Sequence, residues 1–224
     1  IRRPPRSTQS RSSAASDVYK RQDLHKFGFA PKGASTVLYR TSELRKYQYY
    51  VYVDWPGGIY ATPTMSGARP GGAIAAAWAV MHYFGWEGYL KLTRTMMDTT
   101  RKLIDGIRAI DGLEVLGKPD MNVFAFGSAT VNVYALAEAM SKRRWHLEPQ
   151  QMPACLHVTV SPFHANVVDD FLTDLAAATE EVRGLGESDL TGNAAIYGTM
   201  ATLPDRGIAK EFAVEFLGQV FRAS

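Results

Sequence analysis

Two lysines and a histidine stand close together in the stretch Asp23-Leu-His-Lys-Phe-Gly-Phe-Ala-Pro-Lys-Gly33. Lys26 lies between His25 and the aromatic Phe27, with Gly28 next, and Lys32 follows just before a strand-like segment. A lysine held in partly apolar surroundings loses its proton more readily, because burial disfavours the charged form. A neutral amine is what condensation with an aldehyde carbon requires. On residue types alone, the same stretch also reads as a solvated turn lysine beside a packing histidine.

Other reactive side chains offer less. Cys155 opens an apolar strand with no local partner and reads as a small buried hydrophobe. His82 sits on an apolar helix, where packing is the better reading. His157 alternates within a strand and could face either layer, while His146 and His164 fall at element ends as surface or capping residues. Asp169, Asp170, Asp174, Glu180 and Glu181 read as the solvated face of a helix. A single cysteine excludes a disulfide framework and any multi-cysteine metal site.

The elements that must hold these residues follow from periodicity. Asp23 to Gly33 is a turn-rich loop, and Ser35 to Tyr39 is a short β-branched and aromatic strand. Tyr49 to Val53 makes a second extended piece. Residues 54–72 are rich in Gly and Pro and read as one long irregular loop. Small apolar residues over 73–84 predict a buried helix. After Gly85 a second helix places Tyr89, Leu92, Met96, Leu103 and Ile107 on one stripe, with Gly106 weakening its last turn.

From about 110 the elements alternate. Leu113–Leu116 and Asn122–Phe126 predict strands. Asn132 predicts an N-cap for a helix carrying Leu136 and Met140 on one face. Leu156–Val160 predicts a strand, and Val168, Phe171, Leu172, Leu175 and Val182 mark an amphipathic helix. Ala209–Phe221 predicts a last helix. The fold class is therefore α/β: the end of a large domain over 23–109, then a small α+β domain over 110–224.

The chain has 224 residues and a formal charge of +3. That excess comes from residues 1–22, where Arg2, Arg3, Arg6, Arg11, Lys20 and Arg21 face one acid, Asp17. The rest holds 19 basic and 21 acidic residues and is mildly acidic. The basic balance is thus no argument for nucleic acid or membrane partners. The longest apolar run, Ala73 to Met81, has nine residues and is too short to span a bilayer. Residues 1–22, rich in Arg and Ser, are expected to be disordered. They resemble a translated sequencing adapter, which puts the natural start of this stretch near Asp23.

Three blocks together carry a family resemblance: the eleven residues around Lys26 with the strand TVLYR, then WPGGIYATPTMSGARPGG, then GNAAIYGTMA at 192–201. From Asp23 onward the chain resembles the sphingosine-1-phosphate lyases. These are pyridoxal-phosphate (PLP) enzymes of fold type I, near the group II amino-acid decarboxylases. The resemblance implies that Lys26 bonds covalently to PLP, that His25 lies near the cofactor phosphate, and that Lys32 handles the substrate near its phosphate. It also implies that Tyr197 reaches the site from a C-terminal loop, and that 54–72 approaches the cofactor of a partner subunit. Ala68 departs from the GSRPG form of the family, so a hydroxyl contact from that place is lost.

The implied activity is that of a PLP-dependent carbon–carbon lyase acting on a phosphorylated sphingoid base. The products are a long-chain aldehyde and phosphoethanolamine. A homodimer in the cytoplasm is expected, with membrane attachment left open. A PLP-dependent amino-acid decarboxylase shares the His-Lys pair, but Lys32 and the AIYG block argue against it. A catalytically silent chain is the third reading. In fold type I enzymes the aspartate on the pyridine nitrogen, the group stacked on the ring and the phosphate cup would all precede Asp23. The chain alone is therefore expected not to hold PLP stoichiometrically.

Overall fold

The computed structural model describes residues 19–64, 67–185, 198 and 206–221. The chain divides into two compact units, Ile1–Tyr89 and Leu90–Ser224. The division thus falls before the change of pattern near 110. Its cause is the apolar stripe of the second predicted helix: Met96, Leu103 and Ile107 belong to the core of the second unit.

In the first unit, β1 (Tyr19–Asp23) pairs antiparallel with β2 (Ser35–Tyr39), Asp23 lying opposite Ser35. Residues 19–22 were expected to be disordered with the rest of 1–22, and here they form a paired strand. Backbone pairing satisfies their N–H and C=O groups, which apolar periodicity does not reveal. A short helix α1 (Ser42–Arg45) is capped by Thr41, whose hydroxyl accepts from the Leu44 N–H at 3.3 Å.

Strands β3 (Tyr50–Trp55) and β4 (Gly58–Thr62) then form a hairpin. This corrects the reading of 54–72 as one irregular loop. Pro56 and Gly57 make the tight connection, and Gly58, at φ 107, takes a conformation that glycine adopts without strain. The flanking Ile-Tyr and Tyr-Val residues supply strand propensity on both sides of the turn.

The helical stretch α2 (Gly71–Ala109) is broken at Gly85, whose φ 56 and ψ −172 are not helical. The two helices read from the sequence are therefore separated where expected. The first is not buried, however: Ala77 is its buried residue, while Trp78 is 60% exposed and Ile74, Met81 and Tyr83 are exposed as well. A helix that is apolar all round needs cover on every side, and the described residues of the first unit do not provide it. His82 lies against Trp78, the rings tilted by 45° with centroids 4.2 Å apart.

The second unit holds a four-stranded antiparallel sheet in the order β5-β6-β8-β7. Its strands are β5 (Glu114–Val115), β6 (Val123–Gly127), β7 (Glu148–Gln151) and β8 (Ala154–Thr159). Helices α3 (Val133–Lys142) and α4 (Val168–Glu181) share one core with the sheet, built on Phe126, Leu136, Met140, Leu156 and Leu175. Asn132 caps α3 as expected, accepting from the N–H groups of Tyr134 and Ala135 at 3.0 and 3.2 Å. Strand β7 was not read from the sequence, because Glu-Pro-Gln-Gln lacks apolar alternation. As an edge strand it tolerates the proline.

Gly106 has a use beyond weakening a helix end. A Cβ there would sit 2.4 Å from Leu172 Cδ1, so the glycine admits a side chain of α4 against the helix. A last helix spans Arg206–Val220.

Candidate active site

The turn between β1 and β2 presents the residues with chemical potential. Its shape comes from backbone bonds: Lys26 N–H donates to the Asp23 carbonyl at 3.1 Å, Phe29 N–H to Lys26 at 3.0 Å, and Ala30 N–H to Leu24 at 3.0 Å. Gly28 is required where the chain doubles back, since a Cβ there would lie 2.5 Å from the Leu24 carbonyl oxygen. Phe29 adopts φ 52, a left-handed conformation rare for an aromatic residue. Its ring packs against Phe84 and Tyr89, with centroids 6.2 and 6.3 Å away. Tyr89 also donates its hydroxyl to the Gly28 carbonyl at 2.8 Å. The Lys26 turn is thus pinned by a residue far along the chain.

Lys26 does not sit in an apolar pocket. Its side chain is 67% exposed, and its ammonium lies 3.1 Å from Asp23 Oδ2. Asp23 is the half-buried partner, its side chain 11% exposed, and its other oxygen lies 2.9 Å from Arg21 Nη2. The Lys26 hydrogen bond is the main cause that holds the Asp23 carboxyl below its ordinary range. Arg21 adds to this, and desolvation works against it. A crevice of about 520 Å³ opens here, lined by Arg21, Asp23, Lys26, Phe27 and Gly28 among others.

His25 is half-buried, and its Nδ1 atom is buried without a hydrogen-bond partner. An unpaired buried polar atom is costly, so this one suits a ligand atom. Lys32 is exposed and does not line the crevice. Tyr197 lies outside the described residues. The sequence pointed to Lys26 and His25 but not to Asp23 or Tyr89. The i,i+3 spacing of Asp23 and Lys26 was the available signal for the first. Nothing local could have revealed the second.

In the second unit a cavity of about 190 Å³ is lined by Trp145, His146, Glu148, His157, His164 and Phe171 among others. Two of its imidazoles are already engaged. His157 Nδ1 lies 2.9 Å from Glu148 Oε2 across the strands, and His164 Nδ1 accepts from the Ser161 N–H at 3.1 Å. The acidic face of α4 is paired rather than merely solvated: Asp169 meets Lys102, Glu181 meets Arg143, and Asp174 accepts from the Trp145 indole. Among the described residues no His, Cys, Asp and Glu cluster could hold a metal ion. No helix among them is long and apolar enough to cross a membrane.

Comparison with solved structures defines the class. A glutamate decarboxylase from Lactobacillus brevis, 15% identical, superimposes over 75% of this chain and 41% of its own with a TM-score of 0.63. A sphingosine-1-phosphate lyase of Burkholderia pseudomallei, 32% identical, covers 92% of this chain and 42% of its own with a TM-score of 0.77. The architecture is that of PLP enzymes of fold type I, in the α/β class.

The sphingosine-1-phosphate lyase of Arabidopsis thaliana is 45% identical over 195 residues, 87% of this chain. Over that stretch the chain is similar to the sphingosine-1-phosphate lyases. It spans 36% of the length of that relative. No protein-family model matches the chain.

Proposed function

We propose that the longer protein carrying this chain is a PLP-dependent carbon–carbon lyase. It cleaves a phosphorylated sphingoid base into a long-chain aldehyde and phosphoethanolamine. The observation that carries this reading is the 45% identity to a sphingosine-1-phosphate lyase over 195 residues, taken together with the ordered His25-Lys26 turn.

The residues present fit the cofactor in chemistry. Lys26 offers an accessible primary amine for the PLP aldehyde, and His25 offers an unpaired buried nitrogen beside it. When bound, PLP supplies an electron sink for the charge left as the C2–C3 bond breaks. The protein's own part is positioning. The turn fixes where Lys26 projects, and Tyr89 and Phe29 fix the turn. Lys32, exposed and positive, is suited to the dianionic substrate phosphate as a point charge. Tyr197 is assigned to the 3-hydroxyl end of the substrate. The assembly is assigned as a cytoplasmic homodimer, since the family resemblance builds its site across a two-fold interface.

Borohydride reduction of the full-length protein with PLP tests the assignment. The reduced adduct is expected on the Lys26 peptide, and an adduct elsewhere would overturn the reading. Release of aldehyde from a sphingoid phosphate, against release of CO2 from amino acids, separates a lyase from a decarboxylase. Lys32→Ala is expected to weaken the phosphorylated substrate by about 1.5–3 kcal/mol and its dephosphorylated analogue much less. Equal losses for both would remove Lys32 from that place.

A further inference from the structure

The cavity of about 190 Å³ in the second unit has two kinds of wall. Its apolar side includes Leu103, Val168 and Phe171, all buried. Its polar side includes Glu148 and His164, both exposed, and the half-buried His157. An apolar floor beneath a polar rim suits a ligand with an apolar body and a polar end. A dry apolar cavity of about 150 Å³ admits benzene, so this one has room for a single ring with a substituent.

The aromatic part of the wall is rigid. Trp145 stands edge-to-face with Phe171, with centroids 5.3 Å apart and planes at 89°. The Trp145 indole N–H is held by Asp174 at 2.7 Å. Two fixed rings favour an aromatic guest over a saturated one.

The rim has a defined hydrogen-bond pattern. The Ser161 N–H can only donate, so His164 Nδ1 at 3.1 Å accepts, and its proton sits on Nε2. His157 Nδ1 lies 2.9 Å from a carboxylate oxygen of Glu148, so it donates, and Nε2 of the neutral ring is an acceptor. Neither Nε2 has a partner among the described residues. The rim thus offers one donor and one acceptor, which a single hydroxyl matches. The lining contains no Lys or Arg, and its one carboxylate is shared with His157. A charged ligand would therefore go unmatched.

We propose that this cavity is a binding site for a small uncharged aromatic alcohol of one ring. The ring lies against Trp145 and Phe171, and the hydroxyl accepts from His164 and donates to His157. The proposal concerns the second unit alone and does not depend on the reading of Lys26.

The test is calorimetric titration of the full-length protein with phenol, benzene, cyclohexanol and benzoate. Phenol is expected to saturate one site per chain with a Kd on the order of 1 mM. Benzene, lacking the hydroxyl, is expected to bind roughly two- to ten-fold more weakly. Cyclohexanol, lacking the aromatic ring, is expected to lose a similar factor. No saturable phenol binding overturns the proposal, as does benzene or cyclohexanol binding equal to phenol, or benzoate binding tighter than phenol. This series decides the matter without a variant.

Two substitutions then place the site. His164→Asn and His157→Asn can keep the Nδ1 contacts but do not reach as far as Nε2. Each is expected to weaken phenol roughly two- to ten-fold and to leave benzene unchanged, which also reports that the cavity is intact. Phenol affinity unmoved by both substitutions would put the ligand elsewhere and overturn the proposal. None of these measurements uses PLP, so their failure stays distinct from failure of the cofactor to be trapped on Lys26.

Discussion

The two units are built on different terms. Beyond Leu90 a closed core holds Ile107, Phe126, Leu136, Leu156 and Leu175, all fully buried. Among the described residues before it, Ala30 and Ala77 are the buried hydrophobics. There Trp55 and Ile59 are 56% and 75% exposed, and all of β3 is exposed. The second unit is held by apolar burial. The first is held by turns, hairpin ladders and a few aromatic contacts, and it carries the candidate chemistry. Reactive groups sit where packing is thinnest, and their geometry rests on specific polar contacts.

The largest expected effect tests that separation directly. Lys26→Ala in the full-length protein should abolish turnover while leaving the thermal transition of the second unit unchanged. A variant that still releases aldehyde would end the assignment of Lys26. Next, Leu175→Ala should cost about 2–5 kcal/mol in the stability of the second unit, because it opens a cavity in a closed core. Trp78→Ala in the first unit should change the stability of the chain by no more than about 0.5 kcal/mol, as for other exposed positions. Similar losses in thermal unfolding would show that the contrast is false.

Two substitutions sharpen the picture of the Lys26 turn. Gly28→Ala forces a Cβ against the Leu24 carbonyl oxygen. It should destabilise the turn by about 1–3 kcal/mol, seen as faster hydrogen exchange at Ala30. Tyr89→Phe removes one hydrogen bond and should cost about 0.5–1.5 kcal/mol by the same measure. Unchanged exchange in both would mean that the turn needs neither.

The smallest effect lies in the second unit, where Cys155 is buried. Burial pushes its thiol pKa up, so the folded state keeps this proton longer than the unfolded one. The associated stability is intact below the ordinary thiol value of about 8.5. It is lost as pH rises from there through the raised folded value. Urea unfolding at rising alkaline pH should show this decline, and Cys155→Ala should flatten it.

Much of the second unit was legible from residues alone. Leu103 and Ile107 on one stripe, Asn132 at a cap and the apolar spacing of 168–182 each report a local periodicity, and burial repeats that periodicity. The features that went unread lack such a signal. Strand β7 is polar and held by its neighbour, and β4 follows a turn whose Gly and Pro residues look like loop. The helix over 73–84 was read as buried because its residues are apolar, although burial also needs a partner surface. At the site, the His25-Lys26 pair and its family resemblance were visible. The Asp23 ion pair shows in the sequence only as an i,i+3 spacing, whereas the Tyr89 brace depends on how the chain folds back, which no spacing rule encodes. Tyr197 falls outside the described residues and stays with the proposal.

The Tyr89 hydroxyl reaches back 61 positions to the carbonyl of Gly28. During synthesis the lysine-bearing bend therefore leaves the ribosome well before its brace exists. At roughly 5–20 residues per second, that delay is on the order of 3–12 s. For that interval the nascent bend has only its own short-range bonds, and the lysine acquires its final orientation only after Tyr89 has emerged.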